Sequence, residues 1–213
     1  MMRQSCWGEH EAVIGAIQSY DEPALFSVIN GFVGEPALLM ANVTTASKVF
    51  REEFPALPIS VVEGPLPLLI EAEPSLTADQ RDMLSQEFWQ KTQIAAEASD
   101  WYGFDVYPVP DLALTLPGDY VRDVKRRFSP EHTMSVLQGF SPSSVSDGAD
   151  MRRGPNKKET WFMLFDSIVA GADVLFWWGA STLDLSQPAD AEQWQDLTQA
   201  VAVARQIAPA LEL

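Results

Sequence analysis

Glu35, Glu63, Asp105, Gln138 and Trp177 each stand at the end of a short apolar run. The runs are Leu25–Val33, Ile59–Val62, Trp101–Phe104, Thr133–Leu137 and Val174–Phe176, and helix-like stretches separate them. Such runs read as buried parallel strands whose carboxyl ends open onto one site, the place where a β/α barrel keeps its chemistry. Three carboxylates and an amide there suit a polar ligand with many hydroxyls.

The individual residues differ in what they can do. Glu35, in Gly34-Glu35-Pro36, lies just past a run and just before a helix, at that helix's positive end. Partial burial would raise its carboxyl enough for general acid work; the alternative is a carboxylate that only offsets the dipole. Asp105 interrupts the apolar stretch Phe104-Asp105-Val106-Tyr107-Pro108, where an unpaired carboxylate costs several kcal/mol unless it faces a polar cavity or accepts loop hydrogen bonds. Gln138 can donate to and accept from hydroxyls but cannot serve as nucleophile or base; it can equally close the strand's own hydrogen bonds. Successive strand residues face opposite sides. Of Trp177 and Trp178, one should therefore face the sheet interior or mouth and the other should pack beneath a helix. Glu63 is expected at the rim, and Tyr107 and Phe140 as pocket walls or loop anchors.

The elements that must position these residues follow from periodicity and turn chemistry. Residues 9–19 read as a helix broken by Asp21-Glu22-Pro23, and residues 37–53 as another closed by Pro55. A proline-rich connection, Gly64 to Ser75, follows the second strand. Two capping boxes, Thr77-x-x-Gln80 and Asn156-x-x-Glu159, open helices that run to about Ser99 and Gly171. Residues 118–127 and 189–207 are the remaining helices, the last stopped by Pro209. Strands alternating with helices imply right-handed βαβ units and a parallel sheet. The expectation is one α/β domain over residues 1–213, a partial parallel (β/α) barrel of about five units. The alternative is a five-stranded doubly wound sheet with nothing missing, which would bind ligands at a switch in strand order.

Composition narrows the function classes. The net charge of −16 excludes the basic footprint that nucleic acid requires. The cluster Lys125-Arg126-Arg127 sits at a helix end, where cations offset the dipole. Cys6 is the single cysteine, so no intrachain disulfide forms. Cys6 and His10 have helical spacing, but no further ligands accompany them, and no metal site or cofactor is expected. No run approaches the ~20 apolar residues of a membrane span, and no signal peptide is read at this N-terminus. Dinucleotide, phosphate-loop and nucleophile-elbow motifs are absent.

Five stretches resemble one family. Tyr20-Asp21-Glu22-Pro23-Ala24-Leu25 followed by Gly31-Phe32-Val33-Gly34-Glu35-Pro36 resembles the fourth strand of the large glycoside hydrolase clan built on β/α barrels, which ends in Asn-Glu-Pro or Asp-Glu-Pro. Trp101–Pro108 is similar to the sixth strand of such barrels, Val136–Phe140 to the seventh, and Ile168–Trp178 to the seventh helix and eighth strand. The resemblance implies that Glu35 is the general acid/base and that the chain is the C-terminal part of a barrel. Gly34 replaces the clan's usual Asn, and Gln138 stands where the clan has its nucleophilic Glu. Asp105 or Glu63 would have to supply the second carboxyl. The expected function is therefore a glycoside hydrolase-like protein acting on carbohydrate through Glu35 and Asp105. Glu63, Tyr107, Gln138, Phe140, Trp177 and Trp178 would position the sugar. The alternative is a non-catalytic carbohydrate-binding relative or inactive fragment. Open sheet edges would favour self-association.

Overall fold

The computed structural model describes residues 16–29, 36–128, 130–141 and 152–211. Five strands, β1 (Ile17–Asp21), β2 (Ile59–Glu63), β3 (Trp101–Asp105), β4 (His132–Gln138) and β5 (Val174–Trp178), form one sheet in the order β1-β2-β3-β4-β5. The strands are parallel and helices flank them, so the fold is α/β. The order never reverses, as in a singly wound β/α array, and offers no switch point of the kind a doubly wound sheet uses.

The helices among the described residues are α1 (Pro23–Ile29), α2 (Pro36–Glu53), α3 (Leu66–Ala72), α4 (Ala78–Glu97), α5 (Leu116–Arg127), α6 (Lys157–Ala170) and α7 (Pro188–Leu211). Both capping boxes form. Thr77 Oγ1 accepts from Gln80 N while Thr77 N donates to Gln80 Oε1, and Asn156 with Glu159 does the same at α6. Gly171 ends α6 at φ 95°, a left-handed position that glycine adopts without strain.

Four expectations fail. Residues 17–19, expected at the end of the helix over residues 9–19, belong instead to β1, which pairs with β2 in the register Ile17↔Ile59 and Asp21↔Val62. Leu25–Val33, expected as a strand, is helical over its described part. A short apolar run carries no periodicity of its own, so tertiary partners decide its state. The proline-rich connection holds α3, with Pro65 and Pro67 at its start, where a missing N–H is harmless. Pro209 also lies inside α7 rather than stopping it. Cys6 and His10 lie outside the described residues.

The chain divides into two compact units. The first draws on Met1–Tyr102 and Val124–His132. Its core gathers Val43, Ile59, Val61, Leu66, Phe88, Ala95 and Tyr102, all nearly or fully excluded from solvent. Asp100 ties this unit together, accepting from Ile59 N at 2.7 Å and from Arg51 Nη2 at 2.6 Å. Arg127, the last of the basic cluster, lies 4.1 Å over the Trp89 ring.

The second unit draws on Gly103–Asp123 and Thr133–Leu213. β4 pairs with β5 in the register Met134↔Val174 and Gln138↔Trp178. Leu137, Met163, Leu164 and Ala200 form its core, with Leu175 and Trp177 packed against them. Asp166 on α6 accepts from Gly118 N on α5 at 3.1 Å, which pins those two helices together.

Candidate functional site

In the first unit the strand-end residues are Asp21, Glu22 and Glu63. Glu63 ends β2 and is fully buried, not at a rim. Its Oε2 accepts from Ala24 N at 3.0 Å and its Oε1 from Leu25 N at 2.9 Å. Those two N–H groups open α1 and have no intrahelical acceptor, so a carboxylate reaching over from β2 supplies the cap that no local residue provides. This is why residues 23–29 are helical. Tyr102 is buried nearby: burial first, and the Glu63 charge second, push its phenol well above the ordinary value, against a smaller opposing effect of the Thr92 side chain. Glu63 is thus a structural carboxylate.

Glu22 is the residue that the sequence reading passed over. It directly follows β1, and at φ 45° it is the one non-glycine residue with positive φ among the described residues. Such a conformation costs free energy and persists only where surroundings impose it. Here Glu22 N donates to Val62 O at 2.8 Å, and the side chain lies over Gly64. A Cβ on Gly64 would stand 2.5 Å from Glu22 Oε1 and would also press on the Leu25 side chain, so a larger residue there would have to displace both side-chain ends. The signal was present: Asp21-Glu22-Pro23 has the strand-ending form quoted for the fourth strand of the clan. The helical reading of residues 9–19 hid it. Glu35 lies outside the described residues.

In the second unit β3, β4 and β5 bring together Asp105, Tyr107, Phe140 and Trp178. Tyr107 Oη donates to Asp105 Oδ2 at 2.9 Å. The Tyr107 and Trp178 rings stack at 5.7 Å between centroids, with planes 30° apart. Phe140 meets both edge-on, at 5.0 Å and 5.1 Å. Gly179 follows Trp178 at φ 77°, and a Cβ there would strike the Phe140 ring at 2.8 Å. Trp178 remains 44% exposed, so the cluster presents an aromatic surface to solvent. Phe176, two residues earlier on the same face of β5, is also exposed.

Two expected sugar-positioning residues have other work. Gln138 is buried, and its amide is consumed internally. Oε1 accepts from Val109 N at 2.9 Å, while Nε2 donates to Val109 O at 3.0 Å and to Phe140 O at 3.3 Å. It straps the loop after β3 to the end of β4, leaving no polar atom for a hydroxyl. Trp177 points to the helical side, against Leu137, Met163 and Leu164, with its buried Nε1 unpartnered. The alternation along β5 thus puts Trp178 on the Tyr107 side and Trp177 beneath the helices. Among the described residues no group of three His, Cys, Asp or Glu side chains could hold a metal ion.

No family model matches the chain, and no curated protein matches it in sequence. Among solved structures, the chain is similar to bee venom hyaluronidase, with a TM-score of 0.47 and 17% identity. The similarity covers 84% of this chain and 55% of that one, so the chain spans little more than half the length of that protein.

Proposed function

We propose that the chain binds carbohydrate on the aromatic surface of Tyr107 and Trp178, backed by the buried Phe140 ring, as a glycosidase-like β/α protein. The observation that carries this reading is the exposed Trp178 ring stacked on Tyr107, whose hydroxyl is bonded to Asp105. An aromatic face beside a carboxylate offers a sugar both of its binding modes, apolar contact with ring C–H groups and acceptance from hydroxyls. Hydrolysis would need a general acid and a second carboxylate besides. The family resemblance makes Glu35 the candidate for the acid and Asp105 the candidate for the second carboxylate.

A glycan array followed by calorimetry on the best ligand tests this reading. Trp178→Ala should weaken binding at least tenfold, about 1.4 kcal/mol or more, with the fold intact. Trp177→Ala should instead lower stability. Equal affinity of wild type and Trp178→Ala would remove the proposed surface. If the bound glycan is cleaved, Glu35→Gln should abolish turnover while binding survives, and unchanged turnover would remove Glu35 as the acid.

A further inference from the structure

Four of the fourteen Lys and Arg residues of this acidic chain fall within residues 152–158. Arg152, Arg153, Lys157 and Lys158 line a pocket of about 740 Å³ in the second unit, and the opposing acids Asp190, Glu192 and Asp196 come from α7. Most of these charges are already spent. Arg153 forks onto Glu159 at 2.5 and 2.7 Å, and Arg152 bonds Asp111 at 2.7 Å. Lys157 Nζ donates to Gln199 at 2.7 Å, and Asp190 accepts from Asp184 N at 2.8 Å.

Besides the exposed Glu192, two opposite charges are not spent. Asp196 is only 8% exposed, yet among the described residues no hydrogen bond or ion pair reaches its carboxylate. Lys158 likewise has no partner for its ammonium. Both line the pocket, and they do not meet. Three residues before Asp196, Gln193 is 7% exposed and its Nε2 has no acceptor among the described residues. Buried carboxylates are ordinarily paired. A simple anion would face three carboxylates here, and a simple cation four basic side chains. A molecule with both charges on one short skeleton satisfies each side.

We propose that this pocket binds a small zwitterion, its ammonium on Asp196 and its anionic group on Lys158 at the N-terminus of α6, where the helix dipole also favours negative charge. This inference stands apart from the carbohydrate reading, which uses other residues of the same unit.

The test is calorimetry on the full chain at low ionic strength with the twenty amino acids and phosphoethanolamine as probes, and with acetate and ethylamine as half-probes. The expected result is saturable binding of at least one zwitterion, at least tenfold tighter than either half-probe. Preference for an amino acid or for phosphoethanolamine distinguishes a carboxylate from a phosphoryl anion. Asp196→Asn and Lys158→Met should each weaken binding at least tenfold, and Trp178→Ala should leave it unchanged. Lys158 is exposed, so its variant reads out even if Asp196→Asn fails to fold. Absence of binding by every zwitterion at millimolar concentration, or undiminished binding in both charge variants, would overturn the proposal.

Discussion

Glu63 shows how one side chain can settle the state of a distant segment. It lies about forty positions from the N–H groups it accepts from, and it is wholly buried with them. Replacing it with alanine would leave two buried donors unsatisfied, each bonded until then to a charged acceptor. Glu63→Ala should cost about 3 kcal/mol in urea unfolding. A loss below about 0.5 kcal/mol, the level of an ordinary surface change, would deny the capping role. Asp100 works differently. Burial raises its carboxyl, but the Ile59 N–H and the Arg51 guanidinium together outweigh that and hold it below the ordinary value. A depressed carboxyl contributes stability that is present above its unfolded titration range and is lost as pH falls through the folded value. Stability should therefore decline from about pH 4 downward, and Asp100→Asn should flatten that decline while lowering stability at pH 7. Identical pH slopes for the two proteins would exclude the Asp100 contribution.

The elements divide into those whose ends are written locally and those whose ends are not. α4 and α6 begin where their capping boxes place them, because Thr77 with Gln80, and Asn156 with Glu159, satisfy the orphan N–H groups with neighbours three residues away. α1 has no such box, and β1 has no alternating pattern strong enough to announce a strand. β3 carries Gly103, where an added Cβ would land on the backbone carbonyl of Met134 in β4. Glycine in a strand interior marks such close approach. Gly103→Ala should destabilise by about 3 kcal/mol or more, since backbone rather than a movable side chain stands in the way. Near wild-type thermal stability of that variant would show that the two strands can separate locally without loss.

At the scale of the whole molecule, the sheet runs β1 to β5 without closing, so among the described residues β1 and β5 each have one unpaired edge. β5 is apolar throughout, and both Phe176 and Trp178 are exposed beside its edge. The outer side of α6 is also apolar: Phe162 and Val169 are exposed while Met163 and Leu164 are buried opposite them. A helix that is apolar on both sides ordinarily has partners on both. Open edges and such faces favour pairing with a further chain. Light scattering of the 213-residue chain should therefore show concentration-dependent association despite its charge of −16. A monodisperse monomer across the accessible concentration range would count against it.

The α/β class, most of the strands and helices, the strand-end positions of Glu63, Asp105 and Gln138, and the Trp177-Trp178 pair at the last strand were legible in the sequence. Buried parallel strands are continuous apolar runs, and capping boxes act over three residues. What those strand-end side chains do was not legible, because it depends on partners far along the chain. Gln138 could equally have faced a ligand, until the loop at Val109 took up its amide. Glu63 could have lined a rim, until it met the start of α1. Of two adjacent tryptophans, only the pleat of β5 against α6 and α7 decided which joined Tyr107. For Glu22 the Asp-Glu-Pro pattern was in the sequence, but only the pairing of residues 17–21 with β2 showed that a strand precedes it. Local patterns are encoded by neighbours in sequence, whereas the chemistry of a strand end is set by which backbone groups and rings the fold brings to it.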